Sequence, residues 1–174
     1  MHTGLLGLPY LIGHQLQPLR ILFVCLGNIC RSPTAEGVFS QQLREAGLEQ
    51  EVFVDSAGTG DYHIGEPPDQ RACAAAERRG YDLKPLRARQ IQRGDFAKFD
   101  YILAMDMENL RSLKRFCPPE HGHKVMLFTE FCSSGPCVVP DPYSGGPDAF
   151  ERVLDLIEDA SQGLLSHVRE KLAA

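Results

Sequence analysis

The stretch Arg20-Ile21-Leu22-Phe23-Val24-Cys25, with a short loop and an amphipathic run behind it, constrains the fold most. An unbroken apolar run of this length suits a strand buried on both faces, and such strands belong to parallel sheets covered by helices. Leu26 to Ser32 reads as loop, and Pro33 stands where a first helical residue would stand. Ala35, Val38, Phe39, Leu43 and Ala46 then recur at helical spacing, with Gly47 placed to end the helix. Strand, loop and helix in this order open a βαβ unit.

The pattern repeats downstream. Glu51 to Ser56 reads as a second strand, and residues 57–68 as a loop rich in Gly and Pro. Asp69 is placed to cap a helix over Gln70 to Arg79, which Gly80 closes. Phe99 to Met105 forms a third strand, and Asp106 caps a helix that carries Leu110 and Leu113. Lys124 to Phe128 is a fourth strand. Residues 129–147, rich in Gly, Pro, Ser and Cys, make a loop long enough to suggest a functional role. Phe150, Val153, Leu154, Ile157, Leu164, Leu165 and Val168 give the last helix one apolar face. The reading is a single α/β domain over 19–174 with a parallel central sheet, preceded by a poorly ordered extension over 1–18. In such sheets ligands sit beyond the carboxyl ends of the strands, so the loop after the first strand is the place to search.

The 174 residues carry a net charge of −5, which argues against nucleic acid or an anionic membrane as the main partner. An anionic substrate would need a strong local positive site. Six scattered cysteines are too few for a disulfide scaffold and fit free thiols in a reducing compartment. No apolar run is long enough to span a bilayer, and the first 18 residues lack the marks of a signal peptide. The expected location is cytoplasmic, without stable membrane association. Oligomeric state leaves no mark in the sequence, and a monomer or weak dimer is expected.

The loop Cys25-Leu26-Gly27-Asn28-Ile29-Cys30-Arg31-Ser32 runs from a strand end into a helix amino terminus. Unpaired N–H groups and the helix dipole favour an anion there, and consecutive N–H groups can curl into a nest. Gly27 and Asn28 are residue types that tolerate the positive φ of such a curl. Arg31 offers a planar two-pronged donor matched to phosphate oxygens. Cys25 would lie at the floor of the nest. The field that holds a phosphate also favours a negatively charged sulfur, the nucleophilic form of a thiol. Ser32 could donate a further hydrogen bond to it. A lone cysteine at a strand end is usually a small core hydrophobe; here the Gly-bearing loop, Arg31, Ser32 and Pro33 follow it in order. No Gly-Lys-Ser or Gly-Lys-Thr occurs, so this is not a nucleotide P-loop.

The run Val24-Cys25-Leu26-Gly27-Asn28-Ile29-Cys30-Arg31-Ser32-Pro33 resembles the signature of the low-molecular-weight protein tyrosine phosphatases. Asp55-Ser56-Ala57-Gly58-Thr59, Gly65-Glu66-Pro67-Pro68-Asp69, Ala88-Arg89-Gln90 and Asp141-Pro142-Tyr143 match in order, so the resemblance runs from about Arg20 to the end. It implies a four-stranded parallel twisted sheet flanked by helices on both sides. It also implies hydrolysis of phosphotyrosine and small aryl phosphates through a phosphocysteine, with inorganic phosphate as product and no metal or organic cofactor. Asp141 would be the proton donor, although an Asp-Pro pair in a Gly-rich loop is by itself more often a turn. A phosphate bound beside it would favour the protonated carboxyl. Tyr143 and Tyr62 would wall the substrate slot.

Two departures stand out. Relatives often have a second aromatic after the Asp-Pro pair, where this chain has Ser144. They commonly have a His, which bonds to the loop Asn, where this chain has Leu86. Asn28 must then find other support, with Ser56 as a candidate. The resemblance further suggests that Cys30 captures an oxidised Cys25 as a disulfide before irreversible damage.

Three alternatives stay open at this level. A thiol-linked arsenate reductase shares the fold and would relay oxidation through cysteines such as Cys73, Cys117, Cys132 and Cys137. A protein arginine phosphatase would tend to carry Thr in place of Ile29. A non-enzymatic module would bind phosphopeptides or a metal; Cys117, His121, His123, Cys132 and Cys137 include ligand types for zinc, but their spacing fits no structural zinc pattern.

Overall fold

A computed structural model describes residues 17–135 and 137–174, so the expected extension lies, apart from Gln17 and Pro18, outside the described residues. Four strands form one sheet: β1 (Leu19–Cys25), β2 (Val52–Gly58), β3 (Tyr101–Ala104) and β4 (Val125–Leu127). Their order is β2-β1-β3-β4 and all neighbours are parallel. The helices are α1 (Arg31–Glu45), α2 (Gln70–Arg78), α3 (Asp95–Lys98), α4 (Met107–Phe116) and α5 (Pro147–Ala173), with 3-10 turns at Pro119–Lys124 and Phe128–Phe131.

β1 lies inside the sheet and is buried on both faces, as its composition requires. Its side chains alternate: Ile21, Phe23 and Cys25 join a core with α1 and α5, while Leu22 and Val24 join one with Phe96, Phe99, Leu110 and Leu113. Ile21 through Val24 are completely buried, each worth about 1.5–3 kcal/mol in apolar transfer. Phe23 meets Phe39 of α1 and Phe128 edge-on, at 6.0 and 4.9 Å between centroids. The alternation sets Cys25 on the α1–α5 face at the carboxyl end of β1. There the chain leaves the sheet between the neighbours β2 and β3, a topological switch point. Among the described residues no helix is long and apolar enough to cross a membrane.

Several boundaries differ from the sequence reading. α1 begins at Arg31, two residues before Pro33. Proline is tolerated anywhere in a first turn, whose N–H groups have no intrahelical acceptor, so Pro33 does not mark the start. β2 continues through Ala57 and Gly58, which read as loop, because parallel pairing with Val24 and Cys25 carries it that far. Phe99 and Asp100 precede β3 rather than open it; Phe99 ends α3, a four-residue helix too short to leave a periodic signal. Asp69 and Asp106 do cap their helices, accepting the N–H groups of Arg71 and Asn109 at 2.8 Å. The apolar stripe of α5 is buried from Phe150 to Val168.

Candidate active site

The loop after β1 is anchored through its carbonyl groups. The carbonyls of Cys25 and Leu26 accept the N–H groups of Thr59 and Gly60, each at 2.9 Å, and that of Ile29 accepts from Asp69 at 2.8 Å. This pins the loop to the segments after β2 and ahead of α2. Asn28 provides the curl: at φ 55° it is the one non-glycine residue with positive φ among the described residues. Gly27 is not in that region, contrary to expectation. Its small size is used instead, since a Cβ there would stand 3.0 Å from the His63 ring. Gly58 permits a closer approach still, for a Cβ on it would lie 2.7 Å from the Leu26 carbonyl oxygen.

Cys25 is 3% exposed. The Asn28 N–H donates to its sulfur at 3.3 Å, and the Ser32 hydroxyl lies 3.0 Å from the same atom. The Ser32 hydroxyl has one proton to give, with the Cys25 sulfur and the Ala57 carbonyl, at 3.3 Å, both in reach. Asn28 also organises the support beneath. Its Nδ2 donates to Ser32 at 2.8 Å and to Ser56 at 2.9 Å, and its Oδ1 accepts the Arg89 backbone N–H at 2.9 Å. Both amide hydrogens and the amide oxygen are therefore engaged, with no contribution from Leu86. Ser56 in turn donates to the Glu36 carboxylate at 2.5 Å. Burial pushes the Glu36 carboxyl up to about 7; the Ser56 bond and Arg89 oppose that, and Asp55 adds to it. The Arg89 guanidinium ties β2 to α3, meeting Asp55 and Asp95 at 3.0 Å each.

Arg31 is 3% exposed and firmly oriented. One terminal nitrogen donates to Asp106 at 2.5 Å and to the Val139 carbonyl at 3.0 Å; the other lies 3.8 Å from Asp141. Asp106 thus has two tasks, one oxygen capping α4 and the other holding Arg31. Sequence reasoning found only the cap. Asp141 is likewise both turn and site residue. Its Oδ1 accepts the Tyr143 N–H at 3.1 Å, while Oδ2 faces Arg31 from the cavity mouth.

A cavity of about 290 Å³ opens over the loop, lined by Cys25, Leu26, Gly27, Cys30, Arg31, Tyr62, His63, Asp141 and Tyr143. The structure therefore brings together the nucleophile candidate, the guanidinium, the carboxylate and both aromatic walls. This volume is at the small end for ligand sites and suits one side chain with its phosphoryl group. Tyr62 and Tyr143 are 72% and 52% exposed, free to flank an entering ring. Arg71 supports Tyr143 by donating to its carbonyl at 2.9 Å, with its guanidinium 5.4 Å from the ring. His63 was not singled out from sequence; its place beside Tyr62 was the available signal. Its Nδ1 pairs with Glu66 at 2.7 Å.

Cys30 is buried within the loop, and its thiol is pushed up to about 12, chiefly by burial and then by Asp69 and Cys25. Among the described residues no group of three or more His, Cys, Asp or Glu side chains is placed to hold a metal.

This architecture has close counterparts. The family model "Low molecular weight phosphotyrosine protein phosphatase" matches residues 20–174. A low molecular weight protein-tyrosine-phosphatase of Streptomyces coelicolor is 46% identical over 157 residues, 88% of this chain and 95% of that one. The low molecular weight phosphotyrosine protein phosphatase of Schizosaccharomyces pombe is 45% identical, covering 86% and 97%. A crystal structure of a protein tyrosine phosphatase from Entamoeba histolytica, with Hepes in its active site, superposes with a TM-score of 0.85 at 40% identity, over 88% and 98% of the two chains. With both sequence and fold matching across nearly the whole domain, the chain belongs to the low molecular weight phosphotyrosine protein phosphatase family.

Proposed function

We propose that the chain hydrolyses phosphotyrosine on proteins in two steps through a phosphocysteine. The observation that carries this reading is the Cys25 sulfur, which receives the Asn28 N–H and lies beside the Ser32 hydroxyl in the same cavity that Arg31 and Asp141 enter. In the first step the thiolate attacks phosphorus while Arg31 and loop N–H groups hold the equatorial oxygens. The bond to the tyrosine oxygen breaks, and Asp141 protonates the leaving phenolate. In the second step Asp141 takes a proton from water, which attacks phosphorus. The sulfur leaves, and inorganic phosphate is released.

Leu26, Gly27, Ile29, Cys30 and Ser32 complete the phosphate loop, and Tyr62 and Tyr143 hold the substrate ring. Ser56 keeps Asn28 in its curl. The scheme draws on no metal or organic cofactor. Cys30 is assigned as the thiol that captures an oxidised Cys25, and a reducing compartment such as the cytoplasm is the assigned setting.

Steady-state assays on peptides carrying phosphotyrosine, phosphoserine or phosphoarginine test the reading. Phosphotyrosine should be favoured by at least ~10² in kcat/KM, and Cys25→Ser should be inactive. Faster hydrolysis of phosphoarginine, or turnover by Cys25→Ser, would overturn it.

A further inference from the structure

Two cysteines outside the cavity face each other. The Cys137 S–H is directed at the Cys132 sulfur at 3.8 Å, and both side chains are free thiols reached partly by solvent. A disulfide has S–S ≈ 2.05 Å, so the sulfurs must approach by roughly 1.8 Å, within reach of side-chain torsions and a small backbone adjustment.

The two ends are held differently. Cys132 is tied to α5: its S–H is directed at the Leu156 carbonyl at 4.0 Å, and the next residue, Ser133, donates its N–H to Asp159 at 3.0 Å. Cys137 belongs to the strap that runs into the active site, and its carbonyl accepts the Thr129 hydroxyl. Two residues later the Val139 N–H donates to Met105 at 2.8 Å, and the Val139 carbonyl accepts from Arg31 at 3.0 Å. Asp141 follows after Pro140. Drawing Cys137 toward the fixed Cys132 therefore pulls on the segment that orients Arg31 and presents Asp141.

We propose that Cys132 and Cys137 form a redox pair separate from Cys25, which a hydroperoxide closes into a disulfide, and that closure displaces the strap carrying Val139 and Asp141. The bond itself is independent of the proposed mechanism; its effect on turnover rests on Asp141 being the proton donor.

The chemistry balances in two steps. Either thiol of the facing pair can react first with the same balance; on one route it is Cys137. Its sulfur attacks one peroxide oxygen, the O–O bond breaks, and an alcohol (water, from hydrogen peroxide) departs with the thiol proton, leaving a sulfenic acid. The Cys132 sulfur then attacks the Cys137 sulfur; the S–O bond breaks and the hydroxyl leaves as water with the second thiol proton. Two thiols lose two hydrogens and two electrons, and the peroxide accepts them. A dithiol reductant reverses the bond by exchange.

The test uses the full chain, reduced, then exposed to hydrogen peroxide with saturating inorganic phosphate to shield Cys25. After alkylation and trypsin digestion both sulfurs fall in one peptide, Val125–Arg152, because no Lys or Arg lies between Lys124 and Arg152. Cys25 and Cys30 fall in another, Ile21–Arg31. The Val125–Arg152 peptide should lose two hydrogens, resist alkylation, and recover with dithiothreitol. In parallel, kcat on a phosphotyrosine peptide should fall roughly tenfold or more, with a smaller loss on p-nitrophenyl phosphate. The Cys132→Ser/Cys137→Ser variant should keep its basal turnover and lose this peroxide effect.

Full alkylation of Cys132 and Cys137, at a peroxide dose that oxidises Cys25 in phosphate-free enzyme, would overturn the pair. A mapped bond without change in turnover, or a peroxide effect that persists in the double variant, would overturn the coupling to the strap. Failure of the Asp141 assignment would show separately, as an Asp141→Asn enzyme whose losses ignore the leaving group while the bond still maps.

Discussion

Glu36→Gln should change how stability depends on pH, by an amount the structure sets. The Glu36 carboxyl is half-buried beside Ser56, accepts its hydroxyl at 2.5 Å, and is pushed from 4.5 to about 7, chiefly by loss of solvent. In the unfolded chain the same carboxyl ionises near its ordinary value. Between about pH 4.5 and 7 the native state therefore holds a proton that the unfolded state has lost. Stability from this group is complete below the unfolded value and drains away as pH rises through the native one. The span corresponds to about 3 kcal/mol. Gln keeps an acceptor for Ser56 and does not ionise, so its own effect is a constant offset. Urea unfolding of both proteins from pH 5 to pH 8 reads the difference directly. The variant should gain on wild type by about 2–3 kcal/mol across that range, the rest of the span lying below pH 5, with most of the gain below pH 7.5. A stability gap that stays constant with pH would refute the reasoning.

Asp141→Ala should lower kcat on phosphotyrosine peptides by about 10²–10⁴ and on p-nitrophenyl phosphate, with its better leaving group, by less; equal losses would remove the proton-donor role. Gly58→Ala drives a Cβ to 2.7 Å from the Leu26 carbonyl and 3.2 Å from the Asn28 nitrogen. It should cost about 10² in kcat/KM as the loop shifts, and unchanged kinetics would show that the loop does not need this contact. Gly163→Ala sets a Cβ against the Phe131 backbone carbonyl. Helix propensity alone favours Ala by about 1 kcal/mol, but the clash should make the variant less stable by about 1–3 kcal/mol in thermal unfolding; a stabilised variant would contradict the packing described.

The parts legible in the sequence were those with a local cause. The buried run of β1, the Asp69 and Asp106 caps and the stripe of α5 each follow from spacing within a few residues. The phosphate loop announces itself because Cys25, Asn28, Arg31 and Ser32 are adjacent in the chain. What escaped depends on distance along it. Arg31 is held by Asp106 and by the Val139 carbonyl, 75 and 108 residues away, and a backbone carbonyl has no residue signature at all. The loss of the family His at Leu86 looked like a deficit. Yet the Asn28 oxygen is satisfied by the backbone N–H of Arg89, a donor any residue but proline would supply. The end of β2 was missed for a similar reason: Gly58 is strand because Cys25 is its partner, not because of its own propensity.

The most direct test is to trap the covalent intermediate. Rapid acid quenching during turnover of p-nitrophenyl phosphate, followed by peptide mapping, should find one phosphoryl group in the Ile21–Arg31 peptide, on sulfur 25, and none in Cys25→Ser. Phosphate on any other residue, or turnover by Cys25→Ser, would contradict the account.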